Sequence, residues 1–202
     1  CWIPTGCSAP CACASTPAPP RSTGGPATDA TASIAVPAIT HPQGETAAWW
    51  FRAGAAAAHA RRSGPPRARN IILFIGDGMS LPTVTAARIF EGQRHGRPGE
   101  ENMLAFETFP HTALSKTYDT DSQTPDSAGT MTAMITGVKT RRGMLSVAPS
   151  APRGDCAAGL AAPLATAIEI ALSAGLGTGI VTTTRLTHAT PGAAYGHSAE
   201  RN

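Results

Sequence analysis

Three short stretches combine chemically capable side chains with backbone that can turn sharply. Gly76-Asp77-Gly78 follows the apolar run Ile71-Ile72-Leu73-Phe74-Ile75. In open α/β sheets, ligands gather beyond the carboxyl ends of the strands, and flanking glycines leave room for a metal or phosphate beside the carboxylate. Asp77 there is a good ligand for Mg²⁺ and a fair one for Zn²⁺. Gly-Asp-Gly is equally a common turn. Thr124-Pro125-Asp126-Ser127-Ala128-Gly129-Thr130 leads into a run rich in Met, Thr and Ala. In the first turn of a helix, the Ser127 hydroxyl would sit beside unpaired N–H groups and the positive dipole end, which favours a phosphate or an alkoxide. The plain alternative is that Asp-Ser before a helix is an ordinary N-cap. The third stretch runs from Thr182 to Pro191. His188 and Thr190 are two apart, so an extended segment points both to one side. Arg201 follows His188 by 13 residues and offers a bidentate clamp for phosphate.

A serine-hydrolase reading makes Ser127 the nucleophile, with His188 or His197 as its base. Gly129 matches the second glycine of Gly-x-Ser-x-Gly, but Pro125 replaces the first. No Gly-x-x-x-x-Gly-Lys-Ser/Thr phosphate loop occurs.

Elements that would position these residues follow from pattern and punctuation. Thr46-Ala47-Ala48-Trp49-Trp50-Phe51-Arg52 and the Ala-rich run to Arg62 read as a helix ended by Ser63-Gly64-Pro65-Pro66. Asn70–Ile75 reads as a buried strand, and Ser80 as the cap of a helix with Pro82 in its first turn, running to Arg94. Gly96 to Asn102 is loop. Ala113–Tyr118 is a strand, Ser127–Val138 a helix and Met144–Val147 a short strand. Leu164–Ala174 is a helix stopped by Gly175, Thr178–Thr184 a strand, and Pro191 starts a last helix that reaches Asn202. The alternation implies an α/β fold, three-layer α/β/α with a mainly parallel sheet. Four strands are few for a sheet covered on both faces, so the chain reads as the N-terminal part of a larger, truncated domain.

Composition removes several classes. Charged residues are 14% of the 202, against about 25% in average soluble domains. Net charge is +3 without a Lys/Arg run, which gives nucleic acid no footprint. The longest strongly apolar run falls far short of the roughly 18 residues of a transmembrane segment. Four of the five Cys lie in the first 13 positions, too sparse overall for a disulfide scaffold. Residues 1–40 hold seven Pro and only Arg21 and Asp29 as charges, and read as a disordered Pro/Ala-rich leader. Cys7, Cys11 and Cys13 lack a second Cys or His cluster at zinc-finger spacing. Cys1 at the start leaves a processed lipoprotein as an alternative, and no basic-then-apolar segment with a small-residue cleavage site follows it, so the residues as written are not expected to include a secretory signal.

Taken together, a strand-end acid, a helix-start serine, a His-x-Thr and a following arginine resemble the alkaline phosphatase family. The likeness is carried by Ile72-Leu73-Phe74-Ile75-Gly76-Asp77-Gly78-Met79, by Thr124 to Ala133 with Thr136-Gly137-Val138-Lys139-Thr140, by Val181 to Arg185 and His188-Ala189-Thr190-Pro191, and by His197 to Asn202. His41 to Arg52 is similar to bacterial members, so residues 41–202 are identified as the N-terminal part of such a domain. The resemblance implies phosphate monoester hydrolysis with two zinc ions and one magnesium. It makes Asp77 the bridge between a zinc and the magnesium, and Ser127 the metal-activated nucleophile that becomes phosphoserine. Arg201 becomes the phosphate clamp and Thr190 a magnesium ligand. His188 stands where members carry Asp or His, and imidazole there weakens magnesium selectivity.

The resemblance further implies a periplasmic or secreted enzyme that is a homodimer at full length. The family's remaining zinc ligands and a magnesium-binding Glu lie in its C-terminal half and have no counterpart here, since His59, His95 and His111 do not sit in matching positions; Cys156 would also miss any partner that lies downstream. The chain is therefore expected to be inactive alone. A sulfatase relative is disfavoured by the neighbours of Ser127. A non-catalytic phosphate-binding fragment and a serine esterase are the alternatives.

Overall fold

The fold is that of a computed structural model, which describes residues 46–60 and 68–201. All of them fall within the unit Ala38–Asn202. The leader, the Cys7-Cys11-Cys13 cluster, His41 to Glu45, the end of the first helix at Arg62 with its Ser63–Pro66 stop, and Asn202 lie outside the described residues.

Helix α1, Ala47–Ala60, starts where Thr46 Oγ1 accepts the Trp49 N–H at 3.2 Å. Its alanines favour helix intrinsically, yet none of its residues is buried. The aromatic anchor expected near its start is present. Trp49 and Trp50 meet edge-on at 4.8 Å, and Lys139 Nζ lies 5.9 Å from the Trp50 ring and 3.8 Å from that of Tyr118. Helix α2, Leu81–Arg94, begins after Ser80 as expected, with Pro82 in its first turn. Ser80 does not cap it through its side chain: Oγ bonds Thr83 Oγ1 at 3.2 Å instead of a backbone N–H. No helix among the described residues is long and apolar enough to cross a membrane.

The remaining helices form the packed part. Helix α3, Ser127–Thr136, stops one residue before Gly137, whose φ of 74° ends the helix in the left-handed region. That is two residues short of the expected Val138. Helix α4, Cys156–Ala161, carried no pattern long enough to be expected, and is capped by Asp155. Helix α5, Ala167–Ser173, opens with a reciprocal capping box in which Thr166 and Glu169 satisfy each other's backbone N–H. The expected start at Leu164 is three residues early because Thr166 is the cap. Helix α6, Ala189–Tyr195, places Pro191 in its first turn. It ends before Gly196 and does not continue to Asn202, so Arg201 lies on the irregular segment beyond the helix.

Small side chains let these helices approach closely. Ala128 and Met131 of α3 pack with Ala189, Ala193 and Ala194 of α6 and with Leu145, and Ile75, Ile135, Ile168 and Ile180 close around them. A second cluster joins Met144, Val147, Ala151 and Ala199. Buried hydroxyls tie both to irregular backbone: Thr132 Oγ1 accepts from Ser146 N at 2.8 Å, and Thr140 Oγ1 donates to Val147 O at 2.6 Å. Such pairing removes the cost of burying these groups.

No strand ladder forms among the described residues; only the isolated bridges Asp119 with Ser122, Leu145 with Ser198, and Val147 with Pro163 occur. The expected strands at 70–75, 113–118 and 178–184 are therefore not realised here, and 144–147 pairs one residue at a time. A strand is stable only when a neighbour takes its N–H and C=O groups. The stretch expected to be most buried is the opposite: Ile71 is 90% and Phe74 89% exposed.

Candidate active site

Ile75 leans on the helix core and fixes where the chain turns. At the turn, Gly78 has φ +69°, a conformation that L side chains resist, and a side chain at Gly76 would strike Met79 Sδ at 2.7 Å. The Asp77 carboxylate is thereby presented between two helix starts.

The first is that of α3. Its cap is Asp126, whose Oδ1 accepts Gly129 N at 3.0 Å. Ser127 is thus relieved of the capping role that the sequence also allowed. Its Oγ instead donates to Asp77 Oδ1 at 3.0 Å. The second is that of α6. Thr190 Oγ1 donates to Asp77 Oδ2 at 2.7 Å, and His188 Nδ1 lies 3.8 Å from the same oxygen. His188 and Thr190 do share a side, but through a helix cap and not through strand alternation: His188 Nδ1 accepts the Thr190 N–H at 3.4 Å.

Arg201 reaches the cluster from beyond α6, where Nη1 donates to Asp126 Oδ2 at 2.9 Å. Five sequence-selected residues, Asp77, Ser127, His188, Thr190 and Arg201, therefore converge, the last through Asp126. Asp126 entered the sequence reading only as part of an ordinary Asp-Ser helix cap, and it is the residue that caps α3. Asp119 carried no signal at all. It is 2% exposed, and Oδ2 accepts Asp126 N at 3.2 Å beneath the start of α3.

Electrostatics follow this geometry. The Thr190 bond, with those of Ser127 and the charges of His188 and Arg201, holds the Asp77 carboxyl below the usual carboxylate range against a smaller effect of burial. Burial pushes Asp126 up, but bonds from Gly129 N, Arg201 and Gly143 N outweigh it and the net shift is downward. Asp119 goes the other way: burial, with Asp126 and Asp121 nearby, raises it to about 6.

Two further sequence candidates are engaged elsewhere. His197 Nδ1 contacts Ser146 O at 2.7 Å and Nε2 contacts Glu169 Oε1 at 3.0 Å, away from Ser127. Cys156 opens α4 on the surface. No group of three or more His, Cys, Asp or Glu able to hold a metal occurs among the described residues. Asp77 and His188 supply two such ligands, with the hydroxyls of Ser127 and Thr190 beside them.

A family model described as alkaline phosphatase matches residues 68–202. The tissue-nonspecific alkaline phosphatase isozyme of Homo sapiens is 51% identical over 135 residues, covering 67% of this chain and 26% of that protein. The crystal structure of a cold-active alkaline phosphatase from the psychrophile Shewanella sp. matches with TM-score 0.52 at 28% identity, over 63% of this chain and 29% of that one. A variant of the TAB5 alkaline phosphatase with Mg bound in its M3 site matches with TM-score 0.48 at 26% identity, over 62% and 31%. The chain spans about a quarter of the length of the curated relatives it matches.

Proposed function

The chain belongs to the alkaline phosphatase family, and from that premise we propose that it carries the nucleophile and phosphate-gripping part of a phosphomonoesterase site. The observation that carries this reading is the placement of Ser127 in the first turn of α3, with Oγ 3.0 Å from a carboxylate whose other oxygen is held by Thr190. Ser127 Oγ attacks phosphorus, the ester oxygen departs as alcohol, and the new bond is a phosphoserine. Water then breaks that bond, releasing phosphate and returning a proton to the Ser127 hydroxyl. The α3 N–H groups and the Arg201 guanidinium offset the negative charge of the non-bridging oxygens. Asp77, held ionised, orients the Ser127 hydroxyl and is too weak a base to take its proton at neutral pH.

The donor set bears on the metals. One carboxylate flanked by two hydroxyls suits a single Mg²⁺, which is often held by one or two carboxylates and keeps several waters. Zinc sites need at least three protein ligands, and Asp77 with His188 does not reach that number. When bound, such ions supply the positive charge that lowers a hydroxyl's pKa. In this reading the two zinc ions and the magnesium draw further ligands from outside these residues, and the whole enzyme is a periplasmic or secreted homodimer. Segments 70–75, 113–118 and 178–184 are strands of the mainly parallel sheet of that whole enzyme. The chain alone has near-zero turnover.

The test is hydrolysis of a chromogenic phosphate monoester at alkaline pH with zinc and magnesium. A longer protein containing these residues turns over and loses activity in Ser127→Ala; turnover that survives the substitution overturns the reading. For the chain by itself, phosphate binding without turnover is a second reading, favoured by the anchoring of Arg201 on the chain's own Asp126. Protection of the fold by phosphate in the presence of chelator identifies it. A serine esterase would hydrolyse acyl esters under the same chelation.

A further inference from the structure

Arg201 is held at two places. Its guanidinium rests on Asp126, and its backbone N–H is accepted by Glu200 Oε1 at 2.9 Å. A backbone N–H bonded to the side chain of the preceding residue fixes the direction in which the arginine leaves the chain. Glu200 is itself gripped by a fork: Arg153 Nη2 donates to Oε1 at 3.0 Å and Nε to Oε2 at 2.7 Å. Nearby, Gly154 N donates to Ala199 O at 3.0 Å and brings the two segments together.

The other side of Arg153 closes the circuit. A side chain at Gly143 would lie 2.6 Å from Arg153 Nε, so the guanidinium lies directly on that glycine's Cα, which has φ +83°. Gly143 N donates to Asp126 Oδ1 at 3.2 Å, on the carboxylate whose Oδ2 receives Arg201. The contacts thus run from Arg153 through Glu200 to Arg201, and from Arg153 across Gly143 and Asp126 back to Arg201.

We propose that Arg153 and Glu200 are positioning residues for Arg201, holding its guanidinium toward the start of α3 without touching the phosphate themselves. The phosphate-binding part rests on the function proposed above; the ordering of Arg201 does not. Half-exposed ion pairs contribute little to overall stability, so the gain from this one is orientation. A planar fork gripping both carboxylate oxygens leaves Glu200 few alternative rotamers. Lysine in place of Arg153 would keep the charge and lose the fork.

The test uses the 202-residue chain with ¹⁵N-labelled arginine. The Arg201 Nε–Hε signal is rigid in the parent by heteronuclear NOE and becomes mobile in Arg153→Ala and in Glu200→Gln, while the melting curve and the remaining signals stay close to the parent's. The double variant Arg153→Glu with Glu200→Arg restores an ion pair but leaves Arg201 mobile, because an arginine at 200 has no acceptor for its N–H. A rigid Arg201 signal in Arg153→Ala overturns the proposal, as does recovery of rigidity in the double variant. If Arg153→Ala does not fold, Glu200→Gln, which keeps the side chain's shape, decides by the same signal. Titration with inorganic phosphate addresses the reading beneath it: outlying partners of a binding group typically contribute about 10-fold or more, and Arg153→Ala weakens binding by roughly that factor. A parent that binds no phosphate contradicts the proposed function, and the Arg201 signal still decides the positioning role.

Discussion

Thr190 Oγ1 donates to Asp77 Oδ2 at 2.7 Å, a bond that joins the start of α6 to a turn 113 residues earlier. It is one of the few direct ties between the Gly76-Asp77-Gly78 turn and the helical core. A hydrogen bond to a charged group contributes about 1.5–3 kcal/mol at most, and less where solvent reaches it. Thr190→Val is expected to lower the denaturant midpoint by an amount equivalent to about 1 kcal/mol, and Thr190→Ser to restore most of it. A loss in Thr190→Ser with none in Thr190→Val would mean that the methyl group, not the hydroxyl, matters.

Asp119 gives a pH dependence of unusual sign. Its folded pKa, raised to about 6 by burial, lies above the ordinary value of 3.8. The protonated form is favoured by the fold, so this residue's contribution declines as pH rises from about 4 to 6. Asp119→Asn keeps an oxygen for the Asp126 N–H and removes the charge. The variant should therefore gain stability relative to the parent between pH 4 and pH 8, read from paired thermal melts. A gap that stays constant with pH contradicts this.

Gly129 lies in the first turn of α3, where alanine ordinarily improves a helix by about 1 kcal/mol. Here a methyl group would overlap the Asp119 carboxylate. Gly129→Ala is expected to destabilise the fold by about 2 kcal/mol or more, and much less when Asp119→Ala removes the obstacle. A double-mutant cycle measures that coupling.

Asp126 combines a helix cap, a tie to Gly143 N and the seat of Arg201. Loss of an N-cap alone costs about 0.5–2 kcal/mol. Asp126→Ala should exceed the upper end of that range in chemical denaturation, while Asp126→Asn, which keeps one acceptor oxygen, stays within it.

With one carboxylate and two hydroxyls, magnesium affinity of the chain alone should be on the order of millimolar, as in cation sites with few charged ligands. Magnesium titration should shift the amide signals of Asp77, Ser127 and Thr190, and these shifts should vanish in Asp77→Ala. Micromolar affinity would require ligands beyond those described.

Much of the site was legible because its parts are local. Asp77 between glycines and Ser127 in a helix-start motif declare a turn and a helix start; His188-Ala189-Thr190, which reads as an extended segment, is the cap of α6, and the fold brings all three stretches to one carboxylate. A helix end was legible where Gly175 marks it, whereas the end of α3 at Gly137 was read through to Val138. What escaped depends on distant partners. Ser127 and Asp126 compete for one capping role, and only the position of Asp77 shows which is free. Asp119 looks like any loop aspartate until α3 covers it. The final helix was drawn too long because Gly196 turns the chain at φ −133°, an extended conformation that glycine shares with every residue. The apolar run before Asp77 has the pattern of a buried strand, but pattern cannot supply the neighbour that would cover it.

That run has a consequence for handling the protein. Ile71, Ile72, Leu73 and Phe74 turn apolar side chains to water on a stretch without a charged residue, whose backbone bonds no neighbouring strand. Uncharged, β-prone segments of this length are the ones that stack copy upon copy into fibrils. The Asp77 turn therefore sits at the end of a self-adhesive ribbon. Concentrated samples of these residues will be governed by seeding and lag times, and a single lysine at position 72 or 74 should lengthen the lag.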